Sequence, residues 1–561
     1  MSTARFLLPR DRRRRGVLLG RPVVPAILAT AALLLSGCAG SSDAGPTVEG
    51  PPSVERLTIA VPAAIGGPLN VFVSFQEQVS ELVYDKLLAP SPYVAQPQPW
   101  LATDVRMVDP STWEVTVRED VTWHDGQPFT AEDVAFTYRY AREAPTGRFT
   151  HHVNEIPDVT SVELLDTNRL RFTCAFACPD LGPVTLADLP ILPEHVWSQV
   201  PPAEAKNNNA LPVGTGPYRL VGFDPTTGYR FEANPDYFAG APLVREVVMP
   251  IISDPSATFT ALRAGQIDAA FRPLSPELID EFSESADVGV IQTKPFRFPE
   301  LRPNFQRAPF DQPRFRQALS LALDRQELLD TVFLGQGRIA DKGYPHPDSP
   351  WTDPTLSTPS DPDRARALLD ELGFVDRDAD GVRDGPAGPL RYTIVAPGVE
   401  PTQVRAAEIV AEELGKVGIA ATAQGLDAGS YADLSTSRDF DLQISSITAH
   451  GIADPTQFIM SHRSGYLWDA PELPYPEWDA LFEGWKAAST IEGRRAVAFE
   501  MQQMFNRQPT SIPLYYPDEY WAFRPDVFAG WVESPGFGIV HKWSLLPRDV
   551  ARTAHAIVEA R

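Results

Sequence analysis

Segments with the periodicity of a β-strand alternate along this chain with segments that have the periodicity of an α-helix. LTIAV at 57–61 is a continuous apolar run, and WEVTVR at 113–118 alternates apolar and polar residues, so both predict strands. Apolar residues at i, i+3 and i+4 predict helices over Thr258–Ala264, Pro313–Phe333, Asp361–Leu372 and Val404–Val417. The alternation predicts an α/β or α+β protein, and 561 residues suffice for two to four domains.

The segment WHDGQPFTAEDV at 123–134 contains groups that often catalyse reactions or bind metals, but its order predicts scaffold. Asp125-Gly126 favours a tight turn after the preceding strand. Thr130 is a typical helix N-cap, and the acids that follow it complement the dipole of the first helical turn. Only His124 is left without an evident structural role. We therefore predict that this segment supports the fold and does not catalyse a reaction.

The N-terminus has the layout of a bacterial lipoprotein signal peptide, residues 1–37. Arginines precede an apolar run, Val23–Leu35, which is shorter than the about 20 residues of a spanning helix. The run ends in Leu-Ser-Gly-Cys, which resembles a lipobox, so we predict cleavage before Cys38 and attachment of lipid to its thiol. The alternative is a plain secretory signal with an incidental cysteine, and RRGVL at 14–18 also resembles a twin-arginine export signal. Residues 38–56 are small, polar and proline-rich, which predicts a flexible tether on the outer face of the cell membrane.

Composition and motifs argue against two classes of function. A net charge of −24 leaves no basic footprint for a phosphate backbone, so we expect no nucleic-acid partner. The sequence has no G-x-S-x-G, Walker loop, H-E-x-x-H or C-x-x-C motif. We therefore expect a binding protein and not an enzyme.

Cys174 and Cys178 are the cysteines beyond the predicted lipid anchor. In a straight strand, residues four apart are separated by about 13 Å, too far for a disulfide. A turn through the three residues between them would close that gap, and an exported protein meets oxidising conditions. We expect the bridge, with two free thiols as the alternative.

The segment DRDADGVRD at 376–384 matches most of a calcium-binding loop. Its acids at positions 1, 3, 5 and 9 are Asp376, Asp378, Asp380 and Asp384. The bidentate glutamate expected at position 12 is missing, and Ala387 stands there. We rank a calcium site below a solvated acidic loop, and we expect that no cofactor is required.

A series of stretches, in a fixed order, carries a resemblance to one protein family. The first is WEVTVREDVTWHDGQPFTAEDVAFTY, which includes the strand, turn and helix described above. The others are GTGPY at 214–218, NPDY at 234–237, ALRAGQID at 261–268, PFD at 309–311, RQAL at 316–319, DR at 324–325 and ALL at 367–369. Together they resemble the family 5 solute-binding proteins of ABC transporters, which bind peptides, nickel or opines.

The resemblance implies an α/β, periplasmic-binding-protein-like two-lobe fold (type II, cluster C) with an extra inserted domain. It divides the chain into domain I (57–80, 205–296 and 515–561), domain II (81–204) and domain III (297–514). A solute would bind in a cleft between lobes joined by hinge segments, and contact with both lobes would favour closure. We expect a monomer that delivers a solute, an oligopeptide or dipeptide first of all, to the permease of an ABC importer.

The ligand-recognition segment departs from the family in one respect. Peptide binders of this family pair the amino group of the peptide with an aspartate in domain III, shortly before an Asp-Pro. Asp454-Pro455 is present here, but His450 or Gly451 stands where that acid is expected. Asp454 could substitute for it or cap the following helix. An opine, an oligosaccharide or a nickel chelate is therefore an alternative ligand, and a surface sensor lipoprotein is an alternative function.

Two groups of residues are candidate ligand contacts, because aromatic rings beside polar groups suit an organic ligand. The first group follows the first strand and comprises Phe72, Ser74, Phe75 and Gln76. The second group comprises His450, Asp454, Trp468, Tyr515, Tyr516 and Trp521. Ordinary core packing is the alternative role of each aromatic residue.

Overall fold

The computed structural model describes residues 54–65, 67–73, 77–89, 97–145, 153, 158–294, 296–448, 454–465, 475–534 and 536–550. Residues Gly50–Arg561 form one compact unit. The remaining unit, Met1–Glu49, lies outside the described residues, as do the predicted signal peptide and Cys38. Within the described ranges, no helix combines the length and apolar character needed to cross a membrane.

Short strands and helices alternate along the described chain. The strands are β1 (Val54–Ala60), β2 (Leu88–Ala89), β3 (Gln98–Pro99), β4 (Ala102–Asp109), β5 (Thr112–Val117), β6 (Val159–Leu164), β7 (Arg169–Cys174), β8 (Tyr218–Asp224), β9 (Gly228–Ala233), β10 (Val244–Pro250), β11 (Ala269–Ala270), β12 (Gly289–Thr293), β13 (Arg297–Pro303), β14 (Gly337–Ile339), β15 (Asp384–Gly385), β16 (Gly388–Pro389), β17 (Arg391–Pro397), β18 (Ala420–Leu426), β19 (Leu442–Thr448), β20 (Ile512–Pro513), β21 (Tyr515–Pro517) and β22 (Glu519–Phe523).

The α-helices are α1 (Glu77–Ser80), α2 (Ala131–Glu143), α3 (Glu194–Trp197), α4 (Pro255–Arg263), α5 (Ile279–Ser283), α6 (Pro313–Ala322), α7 (Arg325–Phe333), α8 (Pro362–Glu371), α9 (Pro401–Gly415), α10 (Ala428–Ser437), α11 (Thr456–Ser461), α12 (Pro476–Ala487), α13 (Ile491–Arg507) and α14 (Lys542–Leu545). Leu181–Leu186 is a π-helical turn, and Pro202–Asn207 and Pro276–Leu278 are 3₁₀ turns.

The first lobe is built on a seven-stranded sheet in the order β12-β22-β11-β1-β10-β9-β8. Strand β1 lies at its centre and runs parallel to β10 and β11, whereas the other pairs are antiparallel. Leu57 and Ile59 are buried on one face of β1 and Ala60 on the other, as expected for a central strand with both faces covered. An antiparallel sheet in the order β4-β5-β7-β6 shares the main hydrophobic core of this lobe.

The second lobe is built on a five-stranded sheet in the order β18-β17-β19-β13-β20. Strand β17 runs parallel to β18 and β19, and β13 is antiparallel to β19 and β20. Adjacent residues of a strand point to opposite faces, and β13 accordingly feeds two cores. Leu301 packs in a core with α6–α9, and Phe298 packs in a core with α11–α13.

The chain crosses between the lobes where β12 leads to β13 and where β21 leads to β22. At these crossings, Gln292 donates a hydrogen bond from Nε2 to Oδ2 of Asp518 at 2.7 Å. Strand β21 pairs with β14, so Tyr515–Pro517 packs with the second lobe and the later crossing lies at Asp518. Two sheets joined by two crossings match the predicted two-lobe α/β class.

The prediction of one continuous helix over Pro313–Phe333 is wrong, because the structure divides this range into α6 and α7. Asp324 lies at the break and accepts hydrogen bonds from the backbone N–H groups of Gln326 and Glu327, each at 3.0 Å. An aspartate whose side chain bonds the amides two and three residues ahead caps a new helix. The apolar periodicity continues through the break between α6 and α7. Asp324, the capping residue, was the sequence signal that separates the two helices.

Candidate functional site

The carboxyl ends of parallel strands in both lobes mark the place where a solute can be held. In open α/β sheets, ligands bind outside the carboxyl ends of such strands. In the first lobe these ends belong to β1, β10 and β11, and in the second lobe to β17, β18 and β19. Arg272 follows β11 in the first lobe, and Glu400 follows β17 in the second.

Arg272 lies where the two lobes face each other. Its Nη2 donates to the carbonyl oxygen of Ser253 at 3.2 Å, while Nη1 is buried and has no hydrogen-bond partner in the described part of the chain. Burial lowers the pKa of the guanidinium below its usual value, and the carboxylates of Glu400 and Asp254 oppose this shift. Because Asp254 belongs to the first lobe and Glu400 to the second, Arg272 is within electrostatic range of both. The sequence analysis did not single out any of these residues.

The first predicted group of contacts begins in a packed segment. Phe72 is buried, and its ring centroid lies 5.3 Å from that of Trp197 and 5.7 Å from that of Tyr140. Asn70 fixes this segment, because its Nδ2 donates to the carbonyl oxygen of Ala205 at 2.7 Å. Ser74, Phe75 and Gln76 lie outside the described residues.

Asp454 is the described member of the predicted recognition segment. It is buried, and its Oδ1 accepts from the backbone N–H of Thr456 at 2.8 Å and from the Thr456 hydroxyl at 2.5 Å. These bonds hold the turn before α11, whose N-cap is Pro455, so Asp454 lies one residue ahead of the cap position. His450 and Trp468 lie outside the described residues.

Tyr515, Tyr516 and Trp521 flank the crossing at Asp518 and are all buried. The Tyr516 hydroxyl donates to the carbonyl oxygen of Tyr344 at 2.5 Å, and Trp521 Nε1 donates to the hydroxyl of Thr293 at 3.0 Å. The structure thus gives these rings packing roles at the junction of the lobes. Their contact with a solute remains a prediction.

His124 connects the tight turn to the GTGPY segment. Its Nδ1 accepts from the backbone N–H of Gly214 at 3.2 Å, so Nε2 carries the proton and donates to the carbonyl oxygen of Gly216 at 2.9 Å. Burial lowers the pKa of His124 to about 4. A neutral imidazole with both nitrogens bonded to backbone groups has a structural role, in line with the scaffold interpretation of this segment.

The structure contains a disulfide between Cys174 and Cys178, whose Cα atoms lie 6.5 Å apart. The chain turns between the two cysteines directly after β7 ends at Cys174. This is the geometry that the sequence analysis required for a bridge.

The acidic loop gathers three carboxylates at the surface. Oxygen atoms of Asp376, Asp378 and Asp380 lie within 4.8 Å of one another, and all three residues are exposed. Asp380 also pairs with Arg391 at 2.6 Å, and Asp384 accepts from a backbone N–H at 3.1 Å. Oxygen donors suit calcium, but these bonds also explain the loop without an ion.

Comparison with known proteins identifies the family. The family model for bacterial extracellular solute-binding proteins, family 5 middle, matches residues 96–468. The chain belongs to this family. Family 5 is a family of solute-binding transport proteins and not an enzyme family, and the recognition made from the motifs is confirmed.

Relatives of known name and structure cover almost the whole chain. The oligopeptide-binding protein AppA of Bacillus subtilis is 24% identical over 559 residues, which is 93% of this chain and 98% of AppA. The structure of AppA in complex with a nonapeptide has a TM-score of 0.74 at 21% identity and covers 88% of this chain and 99% of that one. NikZ of Campylobacter jejuni in complex with Ni(L-His) has a TM-score of 0.75 at 22% identity, covering 88% and 97%. The predicted type II two-lobe fold is thereby confirmed.

Proposed function

We propose that this family 5 protein captures a small solute, an oligopeptide or dipeptide first of all, between its lobes and delivers it to the permease of an ABC importer. The proposal is supported by the carboxyl ends of parallel strands in the two lobes, which face each other across a gap. Across this gap, the carboxylate of Glu400 in the second lobe acts electrostatically on Arg272 in the first. A solute that touches both sides binds the closed state better and so drives closure.

A peptide is the preferred class of ligand because AppA, named as an oligopeptide-binding protein, aligns over nearly its whole length. Two observations keep non-peptide ligands as the second candidate. The acid expected at 450 or 451 is missing, and Asp454 is already bonded to Thr456. A similar fold in NikZ holds Ni(L-His), so an opine, an oligosaccharide or a nickel chelate is the alternative.

The contacts proposed for this ligand combine the earlier candidates with the residues at the facing strand ends. To Arg272 and Glu400 we add Phe72, Ser74, Phe75, Gln76, His450, Asp454, Trp468, Tyr515, Tyr516 and Trp521. The three-domain division given above is proposed together with them, except that Tyr515–Pro517 would belong with domain III, because β21 pairs with β14. Protein groups alone would hold the ligand, and neither a cofactor nor a calcium ion is needed for it.

The proposed setting is the outer face of the cell membrane. Cys38 would carry the lipid, residues 38–56 would act as the tether, and the folded part would work as a monomer beside the permease. A sensor lipoprotein on the same fold is the alternative, and loss of solute uptake on deletion of the gene would favour the importer. We propose no enzymatic activity, since the chain lacks recognisable catalytic motifs.

A thermal-shift screen tests the proposal. The chain from Gly50 onward would be heated with peptides of two to nine residues, an oligosaccharide, an opine and Ni(L-His). A ligand at about a hundredfold excess over its Kd stabilises the protein by about 2.7 kcal/mol. We expect a shift with at least one peptide and recovery of that peptide unchanged. A shift with Ni(L-His), the opine or the sugar alone would favour the second candidate, and hydrolysis of the peptide would contradict a binding role.

A further inference from the structure

Asp180 and Arg494 form a buried ion pair although 314 residues separate them in the chain. Nη1 of Arg494 lies 2.6 Å from each carboxylate oxygen of Asp180, and Nη2 donates to the carbonyl oxygen of Ala177. The side chain of Arg494 is 0% exposed and that of Asp180 is 2% exposed. Both carboxylate oxygens and both terminal nitrogens of the guanidinium therefore have partners.

The pair joins the two lobes. Asp180 precedes the π-helical turn Leu181–Leu186, whose apolar side chains pack in the core of the first lobe. Arg494 lies on α13 of the second lobe, and its guanidinium carbon is 4.8 Å from the ring centroid of Trp485 on α12. The contact is thus made between elements that belong to different hydrophobic cores.

The loop that carries Asp180 is held in place from several sides. The disulfide closes it between Cys174 and Cys178, and the backbone N–H of Cys178 donates to the carbonyl oxygen of Pro110 at 2.8 Å. Trp113 Nε1 donates to the carbonyl oxygen of Cys178 at 3.0 Å. A loop fixed in this way loses little conformational entropy when it presents Ala177 and Asp180 to an arginine.

The pair is independent of the crossings. Other hydrogen bonds between described residues of the two lobes, such as that from Tyr520 to Gln336 at 2.5 Å, flank the crossing at Asp518. Neither Asp180 nor Arg494 lies on a strand that enters a crossing. A hinge rotation about the crossings changes the distance between elements of different lobes that are not part of the crossings.

We propose that Asp180 and Arg494 form a latch that stabilises the closed arrangement of the lobes whether or not a solute is bound. In the closed arrangement each charge is compensated by the other, and in an open arrangement water solvates both. Removal of one partner leaves the other charge buried without compensation, which opening relieves. The latch thereby contributes to the free energy of closure without a ligand. It reduces the binding free energy that a solute must contribute to close the lobes.

Small-angle X-ray scattering of the ligand-free chain from Gly50 onward tests the latch. The protein would be freed of bound solute by dialysis from denaturant and refolding, with circular dichroism to establish the native fold. We expect the ligand-free wild type to have a smaller radius of gyration than either variant, because the ion pair shifts part of the population towards the closed arrangement. Arg494→Gln and the isosteric Asp180→Asn should each increase the radius of gyration and the maximum dimension.

A matched control separates opening from general loss of stability. Arg325 is also a buried arginine of the second lobe. Among the described residues its hydrogen-bond partners lie within that lobe, and they include the carbonyl oxygen of Pro513 at 3.0 Å and the hydroxyl of Ser320 at 2.9 Å. Arg325→Gln should lower the melting temperature without changing the radius of gyration. The latch is refuted if the wild type is already as extended as folded Asp180→Asn, or if Arg325→Gln expands the protein equally. Because no ligand is used, this result stands apart from the thermal-shift screen.

Discussion

Among the residues at the facing strand ends, Arg272 has the clearest capacity for a further hydrogen bond, which its guanidinium would donate. Its Nη1 is buried without a partner in the described part of the chain, and an acceptor oxygen of a solute would complete it. We predict that Arg272→Gln weakens binding of a solute from the screen by about tenfold to a hundredfold, since a hydrogen bond to a charged group contributes about 1.5–3 kcal/mol. Isothermal titration calorimetry would measure the change.

Arg263 provides the control for this substitution. It is an exposed arginine of the same lobe and pairs with Glu281 at 2.5 Å on the surface. Arg263→Gln should leave the Kd of the solute unchanged. Equal losses in the two variants would argue against a specific contact at Arg272, and an unchanged Kd in Arg272→Gln would remove it from the site.

Asp85 shows how much one buried carboxylate holds together. It accepts from Lys542 Nζ at 2.9 Å, from the Tyr237 hydroxyl at 2.9 Å and from the Thr215 hydroxyl at 3.0 Å. Lys542 and Asp85 are 1% and 0% exposed, so Asp85→Asn leaves a buried ammonium without its counter-charge. We predict a loss of about 3–5 kcal/mol in the free energy of unfolding.

Urea unfolding of Asp85→Asn would be compared with that of Asp526→Asn. Asp526 is exposed and pairs with Arg524 at 2.6 Å on the surface, a contact that contributes at most about 1 kcal/mol. A loss below about 1 kcal/mol in Asp85→Asn as well would show that the buried pair contributes no more than a surface pair.

At the scale of elements, two glycines explain the GTGPY motif in physical terms. The backbone N–H of Gly216 donates to the carbonyl oxygen of Val83 at 2.8 Å, which lays the motif against the segment after α1. A Cβ at Gly214 would lie 1.9 Å from that carbonyl oxygen, and the backbone would have to move. We predict that Gly214→Ala lowers the free energy of unfolding by about 1–3 kcal/mol or more, because about 1–3 kcal/mol is the usual cost of overpacking.

Gly415 is the matched control for this substitution. It lies at the end of α9, and a Cβ there would meet nothing within 4 Å. Gly415→Ala should be neutral or stabilising by up to about 1 kcal/mol, because alanine is the better helix former. Chemical denaturation of both variants would distinguish overpacking from a general effect of replacing glycine.

The elements that the sequence predicts well are those with local causes. Helix α2 begins directly after Thr130, as its capping pattern indicates, and Asp133 accepts from the Thr130 backbone N–H at 2.9 Å. Asp133 also accepts from the backbone N–H of Glu194 at 2.9 Å, a bond across 61 residues that no local pattern reveals. Short-range signals thus placed the helix, while the same side chain's long-range role needed the fold.

The facing strand ends illustrate why most of the candidate site could not be predicted. Arg272 and Glu400 are 128 positions apart in the sequence, and Glu400 acts electrostatically on Arg272 only because of the tertiary fold. The pair of Asp180 and Arg494 has the same character. Motif comparison gave the fold and the approximate segments. Phe72, Tyr515 and Tyr516 are buried, and their contact with a solute stays a prediction. Aromatic character alone did not distinguish a cleft residue from a core residue.

At the scale of the whole molecule, the later crossing contains an acid that couples the junction of the lobes to pH. Glu519 begins β22 directly after Asp518 and pairs in register with Thr293 of β12. Burial raises the pKa of Glu519 from 4.5 to about 7, and the charge of Arg297 opposes this shift. The folded protein therefore favours the protonated carboxyl.

The raised pKa fixes the sign of the pH dependence. The folded state holds its proton up to about pH 7, whereas the unfolded chain loses it near 4.5. The contribution of Glu519 to the free energy of unfolding is thus fully present below pH 4.5 and is lost as the pH rises through about 7. Glu519→Gln keeps a neutral side chain at every pH, so we predict that it is more stable than the wild type at pH 8. The difference should be about 1–3 kcal/mol, since one pKa unit corresponds to about 1.4 kcal/mol.

Differential scanning calorimetry from about pH 4 to about pH 8 would measure this difference for Glu519→Gln. The advantage of the variant should shrink as the pH falls below about 7 and vanish below pH 4.5, where the wild-type carboxyl is neutral in both the folded and the unfolded state. Glu281→Gln, on the exposed face of α5, should show no comparable trend with pH. A constant difference at all pH values would mean that the amide acts through packing, and a variant less stable at pH 8 would show that the junction requires the charged carboxylate. An advantage of Glu519→Gln that grows with pH would instead show that proton uptake by Glu519 stabilises the protein at the crossing between the lobes.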